Sequence, residues 1–327
     1  MSEVYFSKDL NKILDLIDYS RLGQKVGIKV HFGEAGCTTY LNPSIARAVY
    51  DKLVSLGKEP ALVECNVLYK GSRTNSTDHI RTAREHGFTD MEIDILDGED
   101  GGEYLEINGC KIGKGIERYG SMIILSHFKG HDMAGFGGAI KNVGMGLGSR
   151  AGKLDMHSSV KPYVKDENCI GCGICAAHCN AGAITIENDK AKLDPDICEG
   201  CAICIATCAN KAIKIPWAGR TSQDLQKRTA QYAAAAMSRF PGAIFINILQ
   251  DITCGCDCED TVQEPMMPDI GFLYSDDMTA IDKASLDLAN KYSNKKFNDI
   301  NDIDNYKQIE FAKDLNLGSD EYNLLEL

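Results

Sequence analysis

Eight of the fourteen cysteines lie in two runs with the same spacing, C-x2-C-x2-C-x3-C, and these runs carry the strongest chemical signal in the sequence. Three thiolates at this spacing wrap one iron–sulfur cubane, and the fourth cysteine of each run reaches across to the other cluster. Zinc is the alternative, but two tandem runs with this crossed pattern are typical of clusters. The spacing therefore predicts two [4Fe–4S] clusters with these ligands: Cys169, Cys172, Cys175 and Cys208 for the first, and Cys198, Cys201, Cys204 and Cys179 for the second.

A further group of cysteines stands in the stretch DITCGCDCED (251–260), where Cys254, Cys256 and Cys258 occupy alternate positions. On an extended chain such residues share a side at about 6–7 Å per step, which is too wide for one zinc ion. Gly255 permits a bend that would close this gap. A third metal or iron–sulfur centre, a redox-active thiol pair and cysteines without chemistry all stay open. For a metal centre, the candidate ligands beside Cys256 and Cys258 are Cys254, Cys37, His131 and His157.

The segment SHFKGHDMAGFGGAIKNVGMGLGSRAGK (126–153) combines many glycines with histidines and basic residues. Imidazole serves as a metal ligand or as an acid–base group, and basic side chains such as Arg150 and Lys153 neutralise carboxylate or phosphate. Glycines directly before an apolar run predict a helix N-terminus whose N–H groups bind an anion. The segment therefore predicts catalytic roles for His127, His131, Lys129 and Lys141, and a cofactor-binding role for Gly135, Gly137 and Gly138.

Size and composition are those of an ordinary globular chain with an excess of acidic residues. The 327 residues suffice for two domains or for one domain with an insertion, and 44% of them are hydrophobic. The net charge of −12 argues against nucleic acid as the main partner. The first residues lack the apolar core of a signal peptide, and no apolar run is long enough to cross a bilayer. We therefore expect a cytoplasmic protein without a membrane partner, whose cysteines stay reduced.

Strand and helix signals alternate along the rest of the chain, which predicts an α/β fold with a mostly parallel sheet. Apolar runs predict strands at 25–33, 60–65, 91–96, 122–127, 242–249 and 269–274, and a hairpin at 104–114. Periodicity and caps predict helices at 41–58, 77–87, 222–239 and 277–292. The tail 294–327 is expected to be a solvated face with a helical piece at 308–315. The cysteine runs form an inserted α+β domain at 163–217, between two parts of a host domain at 1–162 and 218–327.

Polar residues follow several of the predicted strands. They are His31 and Glu34, Asn66, the residues 127–131, and the stretch 251–260. Because ligands of parallel sheets gather at the carboxyl ends of the strands, we expect these residues to line one cleft. His31 is expected to bind a cofactor there.

Two resemblances to known families support this division of the chain. Residues 164–216 resemble a bacterial two-cluster ferredoxin, although Asn180 and Ala209 stand where that family has proline. Nearly the whole chain resembles the domain-of-unknown-function family 362, in its form with an embedded ferredoxin. This likeness is carried by IKVHFGE (28–34), SHFKGH…GFGGAIKN (126–142), SRAGK (149–153) and the CDC…PDIG…S-x-D-x-x-AID pattern (256–282). It implies an iron–sulfur protein in which Cys256 and Cys258 match the family pattern, whereas Cys37 and Cys254 depart from it.

Together these features favour an oxygen-sensitive oxidoreductase of the ferredoxin-linked kind. A low-potential electron donor or acceptor protein would exchange electrons with the two clusters, and these would serve a pocket lined by histidine, lysine and glycine. Lysines and glycine amides would hold a small anionic substrate or cofactor, and a histidine would supply protons. Two alternatives stay open, namely a non-catalytic electron-transfer protein and a protein that delivers metal or clusters.

Overall fold

The buried apolar runs form one central sheet of eight strands in the computed structural model, which describes residues 1–293 and 297–327. In chain order the strands are β1 (Ser2–Ser7), β2 (Lys25–Lys29), β3 (Glu59–Glu64), β4 (Ile93–Ile95), β5 (Ser121–His127), β6 (Ile244–Leu249), β7 (Gly271–Ser275) and β8 (Tyr322–Glu326). They lie in the order β8-β1-β7-β6-β5-β2-β3-β4. The strands from β6 to β4 are parallel, β7 is antiparallel to both neighbours, and β8 is parallel to β1. The predicted α/β fold with a mostly parallel sheet is confirmed.

The inner strands are buried on both faces, as a parallel sheet covered by helices requires. Along β5, Met122 and Ile124 point into one apolar core, and Ile123 and Leu125 point into the other. This alternation follows from the two-residue period of a strand. It explains why β5 has the continuous apolar sequence MIIL and not an alternating one.

Helices cover both faces of the sheet. One face carries α1 (Leu10–Leu16), α2 (Pro43–Ser55) and α3 (Ser76–Glu85). The other carries α4 (Ala139–Leu147), α5 (Arg150–His157), α6 (Ser222–Met237), α7 (Met278–Tyr292) and α8 (Tyr306–Asp314). The four helices predicted from the sequence are α2, α3, α6 and α7. Within the described residues, no helix is long and apolar enough to span a membrane.

One edge of the sheet is built from the two ends of the described chain. Strand β1 pairs with β7, and β8 pairs with β1, so that Val4 lies opposite Leu324. The tail is largely exposed along β8, as expected, but its strand conformation was not predicted, whereas the helical piece predicted there is present as α8. An outer strand has one neighbour and buries little apolar area, so β8 showed no two-residue apolar period. Residues 294–296 of that tail lie outside the described residues.

The segment 163–217 leaves the rest of the chain, here called the host, between α5 and α6. Tyr163–Val164 pairs with Ile213–Lys214, and Ile184–Glu187 pairs with Lys190–Leu193. Two short helices span Ile174–Ala177 and Ile203–Thr207. The apolar core of the segment is completed by Leu68 and Leu154 of the host. The segment therefore packs against the host through a shared core.

Candidate functional site

The carboxyl ends of β2, β3, β5 and β6 meet at one edge of the sheet, and a cavity of about 330 Å³ opens beside them. This volume suits a small-molecule ligand. The structure brings these sequence-predicted residues into its wall: His31, His127, Lys129, His131, Gly137, Gly138, Lys141 and Cys258. Gly135, Cys254 and Cys256 do not line it. Its apolar part includes Leu68, Met145 and Trp217.

Asp257 lies at the centre of a buried charge network next to the cavity. Its carboxylate is 3.0 Å from His127 Nδ1 and 2.7 Å from Lys129 Nζ, and the residue is fully buried. Burial raises the pKa of Asp257, but the charges of His127 and Lys129 outweigh burial and hold this pKa below its usual value. The other ring nitrogen of His127 lies 2.9 Å from the carbonyl oxygen of Gln250. Both ring nitrogens of His127 are thus engaged by protein oxygens, which favours a positioning role over the predicted catalytic one.

Glu34 forms a second buried network on the neighbouring strand end. Its carboxylate accepts hydrogen bonds from the Tyr69 hydroxyl at 2.8 Å and from Arg73 Nε at 3.2 Å. Arg73 Nη1 lies 3.1 Å from His31 Nε2, which must accept because a guanidinium only donates. Burial, and then the charge of Arg73, lowers the pKa of His31 well below its ordinary value. The Glu34 N–H donates to the Asp257 carbonyl at 2.8 Å, so the two networks are joined.

A close backbone approach positions the 251–260 loop. The hairpin that pairs Lys129–His131 with Gly135–Gly137 lies against this loop, and the Gly130 N–H donates to the Thr253 carbonyl at 2.8 Å. A Cβ added to Gly130 would overlap the carbonyl of Cys254. After Cys256 the chain turns, and the Glu259 N–H donates to the Cys256 carbonyl at 3.0 Å. Gly130 is therefore a position at which only glycine allows the loop to reach the cavity.

The variant Gly130→Ala is expected to destabilise the protein by about 1–3 kcal/mol, because the added methyl group must push the 251–260 loop aside. Gly242→Ala is the matched control, since a Cβ there meets nothing within 4 Å. Urea unfolding of both variants and of the wild type measures the difference. Wild-type stability of Gly130→Ala would contradict the close approach.

Two of the three cysteines in the loop meet a histidine. The donor atoms of His131, Cys256 and Cys258 lie within 4.8 Å of one another, and no other group of this kind occurs among the described residues. Cys254 is exposed and contacts a methionine, and Cys37 is buried beside a threonine. Of the candidates for a third ligand, His131 is the residue whose donor atom lies close to both sulfurs.

The two thiols of this group differ in acidity. A hydrogen bond from Cys258 lowers the pKa of Cys256 well below its ordinary value, against the opposing effect of burial. Lys141 adds to this shift, since its Nζ lies 3.5 Å from the Cys256 sulfur. Cys256 is the sulfur that the site stabilises as a thiolate.

Two cations of the cavity wall have no carboxylate partner within residues 1–293 and 297–327. Lys129 and Arg73 are each paired with a buried carboxylate. Lys141 instead faces the Cys256 sulfur, and Lys153 Nζ donates to a backbone carbonyl at 2.6 Å. Lys141 and Lys153 therefore leave positive charge available to an anionic ligand.

Arg150, which was expected to bind an anion, is structural. The side chain is fully buried, and its guanidinium donates to the carbonyls of Val67 at 2.7 Å, of Asp100 at 2.9 Å and of Thr74. These bonds fasten the loops that follow β3 and β4. Arg150 does not line the cavity.

The glycines before α4 do not present open N–H groups. The Asp282 carboxylate accepts hydrogen bonds from the N–H groups of Ala139 at 2.7 Å and Ile140 at 2.8 Å, and so closes the N-terminus of α4. A Cβ at Gly138 would overlap this carboxylate. The expectation that Gly135, Gly137 and Gly138 bind an anion through a helix N-terminus is therefore wrong. Gly138 is needed because Asp282 approaches so closely.

Two further residues of the cavity wall, Glu64 and Trp217, were not placed there from the sequence, and His157 was named only as a candidate metal ligand. Oε2 of Glu64 and Nδ1 of His157 are buried without a hydrogen-bond partner in the described part of the chain. Trp217, the one tryptophan in the sequence, stands edge-on to His157 with ring centres 4.9 Å apart. Glu64 could have been found from its place at a strand end, but no sequence signal marked Trp217.

Two smaller cavities in the segment 163–217 are each lined by four cysteines. One of about 120 Å³ is lined by Cys169, Cys172, Cys175 and Cys208, and one of about 200 Å³ by Cys179, Cys198, Cys201 and Cys204. Backbone N–H groups point at three of these sulfurs, with N···S distances of 3.3 Å from Ala191 to Cys169, 3.3 Å from Ala183 to Cys179 and 3.2 Å from Ala212 to Cys208. Each cavity gathers one of the two crossed cysteine sets. They are called the Cys169 cavity and the Cys179 cavity below.

Fold and site together define an α/β protein whose candidate site lies at the carboxyl edge of a mostly parallel sheet, beside a cysteine-rich α+β segment. The chain belongs to the family described as Domain of unknown function (DUF362), whose profile matches residues 26–287. No curated protein matches the chain.

Two solved structures show distant similarity. A protein from Thermotoga maritima has a TM-score of 0.42 and 10% sequence identity, with 86% of this chain and 57% of that chain covered. The lactate racemase apoprotein from Thermoanaerobacterium thermosaccharolyticum has a TM-score of 0.36 and 12% identity, with 77% of this chain and 51% of that chain covered. The chain thus spans little more than half the length of either structure.

Proposed function

We propose that the protein is an iron–sulfur oxidoreductase in which two [4Fe–4S] clusters relay electrons to the 330 Å³ cavity, where a small anion is reduced or oxidised. The observation that carries the proposal is the contact between the two regions. Leu68 lines this substrate cavity and also belongs to the apolar core of the segment 163–217. Because the proposed relay packs directly against a cationic cavity, we infer that electrons pass between the clusters and a ligand in that cavity.

The cysteine cavities suit the proposed clusters in the number and chemistry of their ligands. A [4Fe–4S] cluster takes four thiolates, and each cavity offers four. The N–H groups that point at three of the sulfurs would offset the negative charge of the thiolates and so tune the reduction potential. When bound, such clusters supply one-electron transfer.

The surroundings of the two cavities support an order for the relay. The Cys179 cavity is also lined by Gly102 and Tyr104 of the host. The Cys169 cavity is lined by residues of the segment alone, and the side chain of Ile170 in its wall is 68% exposed. A low-potential carrier protein would therefore exchange electrons at the Cys169 cavity, and the Cys179 cavity would serve the substrate cavity.

The substrate cavity favours a small anion that also carries an O–H or N–H group. Lys141 and Lys153 would attract its charge, and the unpartnered Oε2 of Glu64 would accept its hydrogen bond. Burial lowers the pKa of His157 to about 3, so this imidazole is neutral near pH 7. With a buried and unpartnered Nδ1, His157 is better placed than His127 to form a hydrogen bond with the ligand.

A reoxidation experiment tests the proposal. Anaerobically purified protein should hold about eight iron and about eight sulfide per chain. The protein is reduced, freed of excess reductant and mixed with single carboxylates or phosphates while the visible absorption is followed. One class of anion should reoxidise the protein. Lys153→Ala should slow this reaction at least about tenfold, because the charge that holds the anion is lost, whereas the exposed Lys227→Ala should not.

The other outcomes identify the alternatives. A protein that no anion reoxidises, but that passes electrons to a carrier protein, is a non-catalytic electron-transfer protein. Transfer of iron to a metal-free acceptor protein would indicate a delivery function. A chain with neither iron nor sulfide would contradict the proposal altogether.

A further inference from the structure

The geometry points to a mononuclear metal site formed by His131, Cys256 and Cys258, which takes a divalent first-row transition ion such as Zn²⁺ and offers it one open position toward the substrate cavity. This inference deepens the proposed function, because the ion would stand in the wall of the cavity that receives electrons. The site is separate from the eight cysteines of the segment 163–217.

The donor atoms are close enough and of the right chemistry for one ion. They lie within 4.8 Å of one another, while zinc takes sulfur at about 2.3 Å and imidazole nitrogen at about 2.0–2.1 Å. A small closure of the three side chains would thus bring all of them into contact with the same ion. Two thiolates and one imidazole select borderline ions over Mg²⁺ and Ca²⁺, which prefer oxygen.

The turn that follows His131 orients its ring. Nδ1 lies 3.0 Å from a carboxylate oxygen of Asp132, and the N–H groups of Met133 and Ala134 also point at this nitrogen from 3.0 Å. The two N–H groups donate to Nδ1, so an ion at Nε2 would require the ring proton to move to Nδ1, where the Asp132 carboxylate would accept it in place of these contacts. A carboxylate behind a metal-bound histidine is a common arrangement in metal sites.

The loop that carries the two sulfurs is held from both sides. The Tyr69 hydroxyl oxygen, which also contacts Glu34, lies 3.0 Å from the Cys258 carbonyl oxygen, and the Gln263 side chain accepts from the Gly255 N–H at 2.9 Å. Cys256 is buried, with an exposed fraction of 2%. The site is therefore largely formed before an ion arrives, which lowers the entropy lost on binding.

The direction of the open position follows from which of the three ligands line the substrate cavity. His131 and Cys258 line the substrate cavity, whereas Cys256 lies behind them. Three protein ligands with the fourth position left to water or substrate characterise catalytic zinc. Two thiolates balance the charge of a divalent ion, so Lys141 and Lys153 keep their charge for the anion. An oxygen atom of that anion would then reach the ion and be polarised by it.

Zinc titration of the anaerobic holoprotein, after removal of loosely bound metal with a chelator, tests the site. One Zn²⁺ per chain should bind in competition with a chelating dye. Cys256→Ser, Cys258→Ser and His131→Ala should each weaken binding at least about 100-fold, and Asp132→Asn about 10–100-fold. Cys254→Ser is the matched control, because this cysteine of the same loop is exposed and lies outside the group. It should bind zinc like the wild type.

Two further measurements keep the inference separate from the proposed function and from misfolding. Iron and sulfide are counted in each variant, so that loss of zinc with unchanged iron assigns the effect to the new site. X-ray absorption at the zinc edge of the wild type should show two sulfur ligands and one nitrogen. Absence of zinc binding by the wild type, a zinc shell without sulfur, or unchanged affinity in the Cys256→Ser and Cys258→Ser variants would overturn the inference, whatever the clusters do.

Discussion

Replacement of Asp257 by alanine is expected to lower the free energy of unfolding by about 3–5 kcal/mol, because removal of one partner leaves buried charge uncompensated. Asp257 is fully buried between His127 and Lys129, and the Lys129 ammonium lies 2.7 Å from its carboxylate. The same substitution should loosen the 251–260 loop, since it removes the side chain that fastens the loop to His127 and Lys129. Urea unfolding followed by circular dichroism measures the effect.

Two variants test whether the loss in free energy of unfolding comes from the contacts of Asp257 with His127 and Lys129. Asp260→Ala, an exposed position in the same loop, should stay within about 0.5 kcal/mol of the wild type. The double variant Asp257→Ala with Lys129→Met should recover part of the loss, because the uncompensated ammonium is gone. If Asp257→Ala unfolds like Asp260→Ala, the network contributes nothing to stability.

The substitution Cys179→Ser is expected to remove the cluster proposed for the Cys179 cavity, although Cys179 belongs to the first cysteine run in the sequence. About four of about eight iron atoms should be lost. Electron delivery to the substrate cavity should then stop, because the proposed relay is interrupted on the side of the host. Iron analysis together with the reoxidation assay measures both effects.

Cys208→Ser provides the contrasting variant, since Cys208 lines the Cys169 cavity. It should also lose about four iron atoms, but a small chemical reductant should still drive the reaction through the remaining cluster. Cys110→Ser, at a buried cysteine of the host that lines neither cysteine cavity, should keep all the iron. The crossed assignment is wrong if the pattern is reversed, so that the small chemical reductant drives the reaction in Cys179→Ser but not in Cys208→Ser.

The sequence was most informative where the chemistry is local. Alternating strands and helices predicted the mostly parallel sheet, because both periods are visible within a dozen residues. The placement of His31, Lys129 and His131 beside one cavity follows from their positions after strands β2 and β5, whereas Lys141 reaches the cavity from α4. The strand β8 escaped prediction, because it owes its conformation to pairing with β1 at the other end of the chain.

The roles of polar residues were less accessible from the sequence, because they depend on distant partners. His127 and Asp257 are 130 positions apart, so their hydrogen bond could not be read from either motif. The glycines before α4 were assigned to an anion because Asp282, which closes that helix, lies far along the chain. Arg150 was likewise taken for a ligand-binding cation because its three carbonyl partners come from separate loops.

The edge-on contact of His157 and Trp217 joins the two points at which the segment 163–217 meets the host, and both rings line the substrate cavity. A hydrogen bond from Ser159 Oγ to the Gly219 carbonyl at 3.0 Å also joins the two connections between the segment and the host. A ligand in the cavity thus touches both connections of the proposed relay. If a bound ligand changes the reduction potential of the proposed relay, thermodynamic linkage requires that reduction changes the affinity for the ligand by the same free energy. A ligand that binds the reduced protein tenfold more tightly raises a one-electron potential by about 59 mV, so the ligand's concentration would help to set the potential at which the protein operates.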